Sequence, residues 1–384
     1  MEIHADLHDN FSEHIFCHSN DTFHEENAQD QPRWTNSTIF ALLVFLVGVM
    51  GNGSLLLLIL CKGRALRTPF NVYIGNLLLA NSLNLCLQCP LDIANELYPC
   101  AWNFSRGACS IFLYAALVLQ AVTYSAHLLI AVNRIWAVAH PISYRSIHSV
   151  RTSTRLCLAV WILVHVCVMP RWAADVLMDH RERTFECSLE PMGTGKEIWD
   201  LVIHILFFLL PHGVITAALP VIQIVKRRRG AGAKINIVQP LAEGRMGEPT
   251  NRTPASVFGI AAVNDIPQFP KASFLGMTAA AGKRADNNGR FRGYVLLLLM
   301  TITIAACWTP MEVYYVLSDI DSSFSAPIFF EVASVLFSCQ AALDPLLFTL
   351  ALRNIRREIR SILLHGPQIN NQCRKRISSC AVLS

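Results

Sequence analysis

Residues 341–348 read AALDPLLF, an aspartate beside a proline in a segment otherwise suited to hydrocarbon. A lone carboxylate in a bilayer interior costs several kcal/mol unless it is paired or hydrated, so Asp344 either argues against a membrane span or marks a built polar interior. The surroundings decide. From 327 to 351 the only charged residues are Glu331 and Asp344, and the run exceeds the ~20 residues that cross a bilayer as a helix.

Six further runs of this kind precede it, at 39–61, 71–94, 108–132, 156–170, 200–225 and 294–318. Apolar residues are 53% of the 384 and charged residues only 15%, a balance that points to the membrane. The predicted fold class is an all-α membrane protein, a seven-transmembrane helix bundle. Seven crossings put the two termini on opposite sides, and Lys and Arg choose the sides. Lys62, Arg64 and Arg67 follow the first run; 226–293 holds twelve Lys/Arg against four acids; Arg353, Arg356, Arg357, Arg360 and Arg374-Lys375-Arg376 follow the last. These segments are expected in the cytoplasm, and the +5 net charge is a topology signal that carries no implication of nucleic acid.

Residues 1–38 contain eight acids and one base, with N-glycosylation acceptors at Asn10, Asn20 and Asn36; Asn103 is a fourth, in the next outer loop. The N-terminus is therefore expected outside. Its start is acidic and lacks a short apolar core, so the first helix is expected to act as the insertion signal. The predicted organisation is an extracellular tail over 1–38, a bundle over 39–351, and a cytoplasmic helix and tail over 352–384. Within the bundle, 226–293 reads as a long, largely disordered cytoplasmic loop, rich in Gly, Ala and polar residues without helical period. Of thirteen cysteines, Cys17, Cys100, Cys109 and Cys187 fall in outer, oxidising segments, which allows three pairings.

Landmarks in every predicted helix, two of them in the third, narrow the class. In chain order they are Asn52 in GNGSLLLLI, NLLLAN ending at Asn81, Cys109, AVNRIWAVAHPISYR, Trp161, Pro211, CWTP at 307–310 and LDPLLF at 343–348. Eight weak motifs in the right order make coincidence improbable. The chain resembles a rhodopsin-like (class A) G-protein-coupled receptor from about residue 39 to residue 364. Beyond LDPLLF, Leu352, Ile355, Ile359, Ile362 and Leu363 share one face of a short helix and arginines the other, a pattern that suits the membrane lipid surface. Cys373 and Cys380 follow as palmitoylation candidates or ordinary tail cysteines.

The resemblance implies a two-state bundle whose agonist-favoured state opens an inner cavity for a heterotrimeric G protein, with an unknown extracellular ligand as the biasing partner. It implies that Arg134 enters that interface, that Ile142 docks as the apolar knob of the second inner loop, and that Trp308, before Pro310, forms the pocket floor; a plain core aromatic is the alternative for Trp308. It also implies a Cys109–Cys187 bridge, leaving Cys17 to pair with Cys100 or remain unbridged. No cofactor is expected.

The same resemblance frames AALDPLLF. Relatives carry an acid in the second helix and an amide in the seventh; here Asn81 and Asp344, before Pro345, exchange those places. The exchange suggests that the two face each other across a water-containing cavity. Two readings stand: a sodium ion at Asp344 and Asn81 with Thr123 as an extra oxygen, or a protonated Asp344 hydrogen-bonded to Asn81 without an ion. On either, a bulky apolar residue at 344 should not be tolerated. Phe348 and Leu219 stand where relatives have tyrosines, so the water-bridged hydroxyl pair linked to the active state is missing.

Relatives also restrain the arginine of the third helix with a preceding acid, and here Asn133 precedes Arg134. A second acid, in helix six, is replaced by Arg290, a like-charge pair costing on the order of 1 kcal/mol in a wet vestibule. His127 falls where relatives have an aliphatic gate; a neutral histidine satisfied by one partner is the plain reading, a loosened gate the sharper one. These departures predict elevated ligand-independent activity.

Ala116 replaces the aspartate of amine receptors, and the seventh run has no lysine, which excludes covalent retinal chemistry. The polar residues expected around the ligand pocket are Asp92, Gln120, Asp200, His204, Glu312 and Glu331. Their acids favour a cationic group, with Glu312 the deepest candidate counter-ion; Asp200 and Glu331 lie near enough to helix ends to be merely solvated. A non-coupling seven-helix partner or scavenger is the competing reading. Nothing in the chain reads as an enzyme's nucleophile–base pair or metal cluster.

Overall fold

A computed structural model describes residues 32, 34–62, 66–98, 104–178, 187, 193–235, 271–320, 324 and 326–365. Asn10, Asn20, Asn103, Cys17, Cys100, Cys373 and Cys380 lie outside these residues. Seven helices among the described residues are long and apolar enough to cross a membrane: Asn36–Cys61, Pro69–Leu97, Gly107–Ala139, Val150–Ala174, Ile198–Arg228, Tyr294–Ser318 and Pro327–Ala351. They are called the first to seventh spans below. In lipid each backbone N–H must find its partner within its own segment, which is why apolar runs of this length become helices.

The helices begin and bend where local chemistry dictates. Thr35, Thr68 and Ser105 cap the first three spans, each hydroxyl accepting a backbone N–H three residues on. The second span breaks at Gln88, where Pro90 opens a new helix over Cys89–Leu97; proline cannot donate to the preceding turn. In the fifth span a π-turn over Ile205–Leu209 ends two residues before Pro211. Proline lacks the N–H and its ring crowds the carbonyl four residues back, so the wider turn relieves the conflict.

The first span packs on the second and seventh, the seventh on the sixth, the sixth on the fifth and the fifth on the third, closing a ring; the third also packs on the second and fourth. Between the first and seventh spans the approach depends on Gly51, where a Cβ would lie 2.7 Å from Pro345 Cγ. Trp161 donates its indole N–H to Asn76 Oδ1 at 2.9 Å, fixing the fourth span to the second.

Several predicted boundaries shift. The third span runs on to Ala139 and the fourth helix covers Val150–Met178. Helices also reach into both ends of the range expected as loop, over Leu210–Ile235 and Lys271–Ile320, leaving 236–270 outside the described residues. The short terminal helix covers Arg353–His365: Ile355 is fully buried, Leu352, Ile359 and Ile362 pack on the bundle, and Lys62 meets Glu358 at 3.5 Å. Leu363 instead points away at 79% exposed. Asn36 opens the first helix, and its acceptor motif's Thr38 is buried with its hydroxyl against Thr35. Asn36 itself is exposed.

Candidate functional site

The polar interior forms around Asp344, which is 0% exposed. Pro345 follows it, and one turn earlier Gln340 donates Nε2–H to Asp344 Oδ1 at 2.7 Å. Asn81 of the second span donates Nδ2–H to Asp344 Oδ2 at 2.8 Å and lies 3.3 Å from Asn52 Oδ1. Asn52 in turn donates to the carbonyls of Gly48, at 2.8 Å, and Ala341, at 2.7 Å. The exchanged pair thus meets directly, across a bond between the second and seventh spans.

His127 completes the cluster and departs from expectation. It is fully buried, with Nε2 at 3.1 Å from Asp344 Oδ1, Nδ1 at 2.9 Å from the Thr123 carbonyl, and its ring nearly perpendicular to that of Trp308, centroids 5.0 Å apart. It has two polar partners, where the plain sequence reading had one, and it faces Asp344 rather than a purely apolar gate. Thr123, the expected extra oxygen, contributes its backbone carbonyl; its Oγ1, like Gln340 Oε1, is buried without a partner. Gln340 was not anticipated, although its place one turn before Asp344 is readable.

Above this core Trp308 is 2% exposed and stacks on Tyr124, with ring centroids 3.8 Å apart. Tyr124 donates its hydroxyl to Glu312 Oε1 at 2.7 Å, and His204 Nε2 lies 3.3 Å from Glu312 Oε2. Ala116, Gln120 and Tyr124 fall one turn apart on the third span, so the half-buried Ala116 and Gln120 lie outward of this contact. Tyr124 is the residue that sequence reasoning missed here. Glu312 therefore joins the third, fifth and sixth spans and is not a bare carboxylate.

The other expected pocket acids do not converge on it. Asp200 is held by Arg171, Nε to Oδ1 at 2.8 Å and to Oδ2 at 3.1 Å. Glu331 is exposed near the start of the seventh span, and Asp92 is half-buried after the break in the second. Cys109 and Cys187 form the disulfide, Cα atoms 5.6 Å apart, tying the connection between the fourth and fifth spans to the third span.

At the inner end, Asn133 takes no part in holding Arg134. Its Nδ2 donates to His148 Nε2 at 2.9 Å and its Oδ1 accepts from Tyr144 at 3.3 Å, fixing the helix Pro141–Ile147 to the third span. Burial first, and the neighbouring Arg134 second, push the His148 imidazole below its usual range. The neutral ring is what lets Nε2 accept. Arg134 lies over the Phe70 ring, Cζ 3.3 Å from the centroid, and its Nε is buried without a partner. Arg290 is helical, but its side chain is outside the described residues. Ile142 is 86% exposed. Phe348 is fully buried in an apolar cluster with Leu77 and Ile130, and Leu219 packs on another.

Comparison with known proteins agrees with this architecture. The model of the 7 transmembrane receptor (rhodopsin family) matches residues 51–348. Neuromedin-U receptor 1 of Homo sapiens is 22% identical over 85% of this chain and 72% of its own length. The melatonin receptor type 1B-B of Danio rerio is 20% identical over 87% and 83%. An alpha-2B adrenergic receptor of Elephas maximus is 30% identical over 65% and 63%. A match to melanopsin of Felis catus, 27% identical, spans 38% of this chain and less than a third of that protein. The chain belongs to the rhodopsin family of seven-transmembrane receptors, and is a multi-pass membrane receptor rather than an enzyme.

Proposed function

We propose that this rhodopsin-family receptor lies in the plasma membrane with its N-terminus outside, and couples an extracellular ligand carrying a cationic group to heterotrimeric G proteins with elevated activity in the ligand's absence. The observation that carries the reading is Arg134. The position before it is Asn133, whose side chain is spent on His148 and Tyr144, so the guanidinium rests on the Phe70 ring without a carboxylate among the described residues. A cation–π contact is worth roughly 0.5–2 kcal/mol, and it carries no fixed counter-charge to hold the closed state. The asymmetry of Lys and Arg supports the orientation. Ile142, exposed on the same inner face, is available to a partner.

Glu312 supports the cationic ligand. Each of its oxygens has one partner, and a carboxylate can accept further hydrogen bonds, so a ligand cation could join or replace His204 there. Phe348 and Leu219 favour the second reading, a non-coupling partner or scavenger, since both sit in apolar clusters where relatives place hydroxyls.

Basal G-protein activation, measured without ligand across all G-protein families, separates the two. The natural chain should exceed mock-transfected cells, and Arg134→Ala at matched surface expression should return to their level. A flat baseline in both removes the elevated-activity reading.

A further inference from the structure

The buried contact between His127 and Asp344 allows its protons to be counted. The Thr123 carbonyl can only accept, so His127 Nδ1, 2.9 Å away, carries a hydrogen. That leaves Nε2 at 3.1 Å from Asp344 Oδ1. Without a second proton, both atoms would point lone pairs at each other inside a site from which both residues exclude solvent. Moving the single hydrogen to Nε2 does not help. It would set a lone pair against the Thr123 carbonyl and leave a net negative charge fully buried.

No other group described around the pair supplies the missing charge. Asn52, Asn81 and Gln340 are neutral amides, Trp308 is an uncharged ring, and Cys307 of the sixth span is a thiol. Glu312, beyond Tyr124, is acidic, and Arg134 is occupied over Phe70. We propose that His127 and Asp344 together hold one proton, and that this proton is the resident counter-charge of the polar core in place of a sodium ion. Whether imidazolium faces carboxylate or imidazole faces carboxylic acid, the pair has zero net charge.

The arrangement is a poor host for sodium. A cation needs lone pairs directed at it, whereas the N–H groups of Asn81 and Gln340 and the proton shared with His127 already occupy the oxygens of Asp344. The oxygens that could serve an ion, Thr123 Oγ1 and Gln340 Oε1, are present and unpartnered. His127 is therefore the residue that keeps the ion out, and an aliphatic side chain there should admit it.

This inference concerns the bundle core and does not depend on G-protein coupling. Thermal unfolding of the purified full chain is compared in sodium and potassium chloride at equal concentration, about 0.15 M, which equalises screening, and at one neutral pH. The natural chain should melt at the same temperature in both salts. His127→Leu should gain a sodium-selective rise that is lost in the His127→Leu/Asp344→Asn double variant. A sodium-selective rise in the natural chain overturns the proposal, as does a folded His127→Leu variant indifferent to the choice of salt. If that variant does not fold, nitrogen NMR of the natural chain's imidazole decides: a hydrogen on Nδ1 is expected, and a ring protonated on Nε2 alone refutes it.

Discussion

Asp344 can be fully buried because hydrogen bonds converge on both its oxygens from the second, third and seventh spans. Removing it would strand those partners rather than simply delete a charge, which is the physical basis for expecting no tolerance of a bulky apolar residue there. Arg134 shows the opposite economy, a charge held by a ring. Phe70→Ala should raise basal G-protein activation by about 2- to 30-fold in the active-to-inactive ratio, the conversion of roughly 0.5–2 kcal/mol of cation–π stabilisation. The readout is basal signal per receptor at the surface, and an unchanged or lower value would show that Phe70 does not restrain Arg134. The interior place of Asp344 was legible in its apolar run, whereas the contact of Arg134 was not: Phe70 is one aromatic among twenty phenylalanines, and nothing in its neighbourhood names Arg134.

At the scale of elements, the irregularities carry the geometry. The proline-linked π-turn before Pro211 and the break at Gln88 alter the outer halves of the fifth and second spans, which bear His204 and Asp92. The first and seventh spans instead meet closely, at Gly51. A methyl there would intrude on the rigid ring of Pro345 at 2.7 Å, adjacent to Asp344 and to the Asn52–Ala341 bond. Gly51→Ala should lower stability by about 1–3 kcal/mol, the usual cost of overpacking. The melting temperature of the purified chain measures it, and an unaltered value would mean that the two helices part without penalty. GNGSLLLLI identified Asn52 from sequence; that its neighbour Gly51 abuts Pro345 required the crossing of two distant helices.

Across the whole molecule, contacts run without a gap from the outer half to the polar core. Glu312 accepts from Tyr124, Tyr124 stacks on Trp308, Trp308 meets the His127 ring, and His127 reaches Asp344, which holds Asn81 and through it Asn52. Contiguity alone does not establish coupling. A double-mutant cycle does: Tyr124→Phe removes only the hydroxyl, and His127→Leu removes the proton-bearing ring. Basal activation of the two single variants and the double should show an interaction of about 0.5–3 kcal/mol, the range for coupled neighbours. Additive effects would mean that the outer acid and the core respond independently.

The sequence by itself determined the seven spans, because hydropathy is a local property of the chain, and the resemblance to a known family implied the exchange of Asn81 and Asp344, the Asn133 substitution and the pairing of Cys109 with Cys187. It also singled out Glu312 and His127 as anomalies in apolar surroundings. Only the tertiary structure decided their partners. Tyr124, Gln340 and Phe70 have ordinary sequence neighbourhoods, and Asp200 becomes a partner of Arg171 only where two helix ends meet. The reason is physical: a polar group in hydrocarbon must be satisfied, but which of the facing helices satisfies it depends on helix rotation and crossing, set jointly by glycines, prolines and side chains hundreds of residues apart.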